Sequence, residues 1–228
     1  MNIGNGEIGQ AGLQFFGRMS ASISHELKNV LAIIKENAGL LNDYIRAAAN
    51  GAPIDPQRLG TVGRRIETQT ARADAIIKTM NQFAHTVDSS RQSVNLNQTL
   101  ALLVSLHNRP AAMSQVRLEA QGADETVAIT TAPFILLNLL GRALTTALQA
   151  VPAGGTMAIR MDKISSGALF SFNGLTLLSS LPDLAYPEPQ DSTLLTALGA
   201  QARIEPSQER ICVTLPLGLG ASSSATSS

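Results

Sequence analysis

The sequence predicts an α+β chain: a long antiparallel helical hairpin that forms a dimeric four-helix bundle, followed by an α/β sandwich domain. Three observations carry this expectation. Apolar residues recur at helical spacing through the first 90 residues, a turn signal at Asn50-Gly51-Ala52-Pro53 breaks that pattern once, and short alternating runs replace it afterwards. A length of 228 residues allows one large or two small domains at the usual roughly 150 residues per domain. We place a helical domain over 1–90, an α/β domain over 91–217 and a disordered tail, rich in Gly and Ser, over 218–228.

The first helix is expected from about residue 10 to about residue 48, with Met19, Ile23, Leu27, Val30, Ile34, Leu41 and Ile45 in one stripe. Asp55-Pro56 restarts a helix, a capping side chain followed by proline at the first helical position. Its stripe runs Leu59, Val62, Ile66, Ala73, Ile77, Met80, Ala84 and Val87, and Gly60 and Gly63 weaken its first turns. Two long helices joined by a short turn form an antiparallel hairpin. A lone hairpin buries only part of two such stripes. Either two copies associate into a four-helix bundle, or the stripes cover the rest of the same chain.

Beyond residue 90, Asn97 can cap a helix reaching about His107. Strands are expected at Val116 to Glu119 and Val127 to Thr130, then a helix from Pro133 to about Val151. The turn Pro152-Ala153-Gly154-Gly155 leads into strands over Thr156 to Met161 and Ala168 to Phe172. A short helix over 192 to 199, ending at Gly199, and a last strand through Ile211, Val213 and Leu215 complete the pattern.

Composition narrows the function. Seventeen Lys+Arg balance seventeen Asp+Glu, so the electrostatic footprint of a nucleic-acid or anionic-membrane binder is missing. Aromatics are 4% with no Trp, and the one cysteine leaves no disulfide framework or Cys-rich metal site. The N-terminus lacks a cationic signal region, and Asn138, Arg142 and Gln149 interrupt the most apolar stretch, so a soluble cytoplasmic protein is expected.

On a helical wheel with Ile23 at zero, the local apolar stripe centres near 20° and His25 falls near 200°, at roughly 100° per residue. His25 therefore points to water. Asn29 lies one turn further along the same face, Glu26 sits toward its edge, and Arg18 and Lys28 add positive charge nearby. A solvated imidazole ordinarily titrates near 6.5, so at neutral pH it keeps a nucleophilic nitrogen able to accept a phosphoryl group. His85 and His107, near helix ends, and Cys212, in the last strand, read as structural.

The string Ser24-His25-Glu26-Leu27-Lys28-Asn29 resembles the H box of two-component sensor histidine kinases. That resemblance implies that His25 carries the phosphoryl group, that Glu26 assists proton handling, and that Asn29 helps orient water for dephosphorylating a partner response regulator. It also implies an ATP-binding α/β domain downstream, and there the chain departs from the family. Leu136 to Ala143 looks like the Asn box, but the metal-holding Asn is Arg142, whose guanidinium has no lone pair to give. Phe172-Asn173-Gly174 takes the place of the Asp-x-Gly box, so an apolar ring stands where the adenine-reading Asp is expected. Asp191 to Thr196 holds no glycine where the lid box should lie, and Ser180 to Gln190 reads as a tightened loop.

The resemblance and these departures imply a degenerate histidine-kinase-type domain behind an intact acceptor. The expected function is a histidine phosphotransfer protein relaying phosphoryl groups between His25 and receiver-domain aspartates. It would need no cofactor of its own, with Mg²⁺ supplied by the partner receiver. A response-regulator phosphatase, a non-catalytic scaffold for receivers and a divergent active kinase remain alternatives. A receiver would dock along helix 1 below His25, over Lys28, Ala32, Glu36, Gly39 and Asp43, while two copies pair through the hairpin.

Overall fold

The structure, a computed structural model, describes residues 3–217, with side chains from Gly9 onward; the tail expected over 218–228 lies outside the described residues. The chain divides into two compact units, Gly17–Phe83 and Met1–Phe16 with Ala84–Ser228. The start of the first helix therefore clusters with the α/β unit, whereas the sequence assigns it to the hairpin.

The hairpin unit is built from α1 (Ile3–Ala49) and α2 (Pro56–Ala84). Asp55 caps α2 as its sequence suggests: its Oδ1 accepts the Gln57 N–H at 2.8 Å, and Pro56 opens the helix. Each apolar stripe read as one proves to be two. On α1, Met19, Ile23 and Val30 are buried, whereas Leu27, Ile34 and Leu41 are half-buried and Ile45 is 62% exposed. Leu31, outside the expected stripe, joins the second set at 53% exposure. On α2, Val62 and Ile76 are buried while Ile77 and Met80 are exposed. Leu27, Leu31, Ile34, Ala38, Leu41 and Ile45 follow alternating steps of four and three, the signature of a helix–helix seam.

The α/β unit holds β1 (Gln92–Asn95), α3 (Leu96–Met113), β2 (Arg117–Gln121), β3 (Ala128–Thr131), α4 (Pro133–Leu148), β4 (Thr156–Ile164), β5 (Gly167–Asn173), α5 (Ser192–Leu198), β6 (Gln201–Glu205) and β7 (Arg210–Pro216). Five strands form one sheet in the order β2-β4-β5-β7-β6, with β2 parallel to β4 and the other pairs antiparallel. Strands β1 and β3 make a separate antiparallel pair. Alternation along the strands sends Met157, Ile159, Met161, Phe170, Phe172, Ile211, Val213 and Leu215 into the core, while Arg160 and Asp162 stay exposed. Helix α4 closes that core with Leu136, Leu139, Leu140, Ala143 and Leu144, all buried. At the other end of the chain's long helix, Phe15 meets Phe134 of α4 at 5.8 Å between ring centroids.

Several local expectations are corrected. Asn95, not Asn97, caps α3, accepting the Gln98 N–H at 3.2 Å. Asn97 instead ties the helix to the following loop, donating to the Ala123 carbonyl and accepting the Ala123 N–H, both at 3.1 Å. Helix α3 continues past His107 through Pro110 to Met113. The strands β1 and β6 were not expected: β1 is four residues with a single apolar member, and the edge strand β6 alternates only Ala202 and Ile204 with polar neighbours, too short a run to stand out. His85, directly after the end of α2, lies with its Nδ1 2.7 Å from Asp88 Oδ2. His107 is buried, its Nδ1–H donating to the Leu103 carbonyl at 2.8 Å. Cys212 is buried too, and burial pushes its thiol up from the ordinary value. It lies in register with Arg203 and Ser171, on the face opposite Ile211 and Val213.

Candidate functional site

Helix α1 carries Ser24 through Asn29 in its interior, far from either end, so the backbone there is fully hydrogen-bonded and rigid. The side chains then distribute by the helical period. His25, Lys28 and Asn29 are exposed, Glu26 and Leu27 half-buried, and Ile23 and Val30 buried. No described residue hydrogen-bonds the His25 ring. Asn29 stands at i+4 from it, so an imidazole and a carboxamide share one exposed strip. Ala32, Glu36 and Asp43 continue that strip as exposed positions, and Gly39 is half-buried on it. Glu26 leaves the strip: its Oε1 accepts from Arg72 Nη2 of α2 at 3.0 Å. The spacing of the string gives no sign of Arg72, which lies 46 positions away.

A second group of side chains surrounds Arg142 in the α/β unit. Its Nε donates to Asp191 Oδ1, and its Nη2 lies 3.5 Å from Glu188 Oε2. Asp191 is buried, and its other oxygen accepts the Glu188 backbone N–H at 2.8 Å. Nearby, the Tyr186 hydroxyl donates to the Leu139 carbonyl at 3.4 Å. Burial holds that phenol far above its ordinary titration range; Asp191 pushes it the same way and Arg142 opposes. Ser180 to Gln190, expected as a tightened loop, is fastened to α4 through these contacts.

The residues here do not fit a magnesium–nucleotide complex. A guanidinium already committed to two carboxylates cannot ligate a cation, and it fills the position that the resemblance gives to the metal-holding Asn. Phe172 is fully buried in the core, so its ring faces no ligand. Asn173 directs its Nδ2 to the Ala158 and Ser171 carbonyls, both at 3.1 Å. Gly174 adopts φ +88°, and a Cβ there would come within 2.8 Å of the Thr156 carbonyl, so the glycine is required by the turn itself. Among the described residues no cluster of three or more His, Cys, Asp or Glu is suited to a metal.

No family model matches the chain, and no curated protein does. Solved structures do. The chain resembles histidine kinases. It aligns with histidine kinase AdeS of Acinetobacter baumannii at 10% identity and TM-score 0.45, over 85% of this chain and 98% of that one. It aligns with the catalytic domain of histidine kinase ThkA at 12% identity and TM-score 0.46, over 57% of this chain and 99% of that one. A structure described as a bacterial phosphotransferase matches at 17% identity and TM-score 0.44, over 88% of this chain and 95% of that one. These likenesses are distant and concern the fold.

Proposed function

We propose that the chain is a histidine phosphotransfer protein of a two-component phosphorelay, in which His25 accepts a phosphoryl group from one receiver-domain aspartate and passes it to another. The observation that carries this reading is the free, exposed His25 ring in the middle of a rigid helix, inside the Ser24–Asn29 string. Phosphoryl transfer needs in-line positioning and charge neutralisation, and the receiver's own Mg²⁺ supplies the second. The protein has only to present the imidazole. Autokinase activity is excluded from the proposal because Arg142 and Asp191 occupy one another and Phe172 belongs to the core.

The functional form is a homodimer in the cytoplasm. Leu31 and Ile45 on α1, with Ile77 and Met80 on α2, leave an apolar seam uncovered in the single chain, and a second hairpin against it completes a four-helix bundle. None of the helices among the described residues is long and apolar enough to cross a membrane. The receiver docks over Lys28, Ala32, Glu36, Gly39 and Asp43, where Ala32 and Gly39 allow a partner helix to approach closely.

Incubation with a phosphorylated receiver domain and Mg²⁺ should transfer label to the chain, and His25→Ala should eliminate it. Label retained in that variant would sink the assignment. In parallel, labelled ATP should leave the chain unlabelled; phosphorylation from ATP would revive the kinase alternative. A second reading, receiver dephosphorylation, is favoured by the exposed carboxamide of Asn29 one turn from His25. Asn29→Ala should then slow receiver dephosphorylation more than it slows transfer. Receiver binding with neither reaction would leave only the scaffold.

A further inference from the structure

Arg72 reaches from α2 to α1 and holds the carboxylate next to His25. Its Nη2 lies 3.0 Å from Glu26 Oε1, with the arginine side chain 54% and the glutamate side chain 24% exposed. Ion pairs this exposed contribute little to folding. The contact acts instead on the electrostatics around the acceptor. Phosphoryl donors are anions, and a free carboxylate one residue from the acceptor would repel them. Arg72 cancels that charge and draws the carboxylate toward α2. The neighbours of the acceptor along α1 do not do this: Lys28 is exposed and engages no carboxylate, and Glu36 adds negative charge further down.

We propose that Arg72 is a positioning residue for phosphoryl transfer, holding Glu26 toward α2 and neutralising it so that the approach to His25 stays open to an anionic phosphoryl donor. The inference rests on the reading of His25 as the phosphoacceptor. In the step concerned, the unprotonated imidazole nitrogen forms an N–P bond while the P–O bond to the donor aspartate breaks. The electron pair leaves on the aspartate carboxylate, and the other ring nitrogen keeps its proton.

The test uses the full chain and phosphoramidate as donor, with ammonia as leaving group, so that no receiver surface intervenes. Formation of phosphohistidine is followed by ³¹P NMR in the wild type, Arg72→Ala, Arg72→Lys, Glu26→Gln and the Glu26→Gln/Arg72→Ala double variant. Arg72→Ala should slow uptake about fivefold to tenfold by exposing one unit charge beside the acceptor. Arg72→Lys, which keeps the charge, should restore most of the rate. Adding Glu26→Gln to Arg72→Ala should raise the rate again, because the carboxylate left unheld and uncancelled is gone. Circular dichroism checks the fold, and Arg72→Gln, which keeps most of the side-chain stem, replaces the alanine variant if that one unfolds. Equal rates for wild type and Arg72→Ala overturn the inference, as does a double variant no faster than Arg72→Ala or a lysine variant as slow as alanine. A wild-type chain that takes no phosphoryl group, or His25→Ala that takes it equally well, overturns the reading of His25 instead.

Discussion

Arg142→Met removes the cation from the contact with Asp191 and keeps a side chain of similar length. Asp191 is 1% exposed and Arg142 18%, so the pair is formed away from water. Removing one partner leaves a buried carboxylate held only by the Glu188 backbone N–H, and breaking a desolvated pair in this way costs about 3–5 kcal/mol. In a chain of this size each kcal/mol lowers the midpoint by about 2–4 °C, so the melting temperature should fall by roughly 10 °C. Replacing both partners, as Arg142→Met with Asp191→Leu, removes the charge together with its counter-charge and should recover most of that loss. Thermal and urea melts followed by circular dichroism give the three values of the cycle. A loss under about 1 kcal/mol for Arg142→Met, the behaviour of an exposed pair, would refute the reasoning. So would a double variant whose loss is the plain sum of the two single changes.

Tyr186 ties stability to alkaline pH. Its phenol titrates near 10 when unfolded and well above that when folded, so its contribution is complete below about pH 10 and is lost as pH rises beyond it. Tyr186→Phe should flatten the alkaline limb of the stability curve; an unchanged limb would show that the phenol is not shielded. Glu205 works in the opposite direction. Hydrogen bonds from Arg203, and then from Arg210, hold its carboxyl below the ordinary range, so its contribution is present above that range and disappears as pH falls through the folded value. Glu205→Gln should reduce the slope of stability against pH on the acid side, measured by urea midpoints at pH 3 to 6. The exposed seam gives a third test: Leu31→Glu with Ile45→Glu should convert a dimer to a monomer in sedimentation velocity at unchanged helix content, and a wild-type monomer would contradict the bundle.

What the sequence discloses follows from the range of the interactions involved. Helical spacing, the Asp55-Pro56 start and the αL stop at Gly199 are local, and each stands where the residues place it. The position of His25 on an exposed face follows from period alone. The division of each apolar stripe into a buried and an uncovered half does not, because a heptad pattern is silent on which neighbour covers which side. Asn95 and Asn97 are chemically alike, and only the approach of residues 123–125 decides which one caps the helix. The contacts that define both candidate sites bridge 46 and 49 positions. No local pattern pairs Glu26 with Arg72, or Arg142 with Asp191, and each arginine read alone looks like an ordinary charged residue or a missing ligand.

The two arginines are separated by solvent exposure, and that difference assigns them different work. Arg142 and its partner are shielded, so their attraction and their desolvation are both large, and altering one must appear in stability. Arg72 and Glu26 remain in contact with water, where an ion pair is worth about 0.2–1 kcal/mol. Arg72→Ala should therefore shift the melting temperature by at most about 4 °C, the size expected for so weak a pair. If the same substitution slows phosphoryl uptake about tenfold, that corresponds to 1.4 kcal/mol in the barrier, roughly the whole of the charge effect and more than the pair gives to folding. A large stability loss with an unchanged rate would place Arg72 with Arg142 as a structural residue. The opposite result requires the guanidinium to act on the acceptor's surroundings, since the fold would be intact without it.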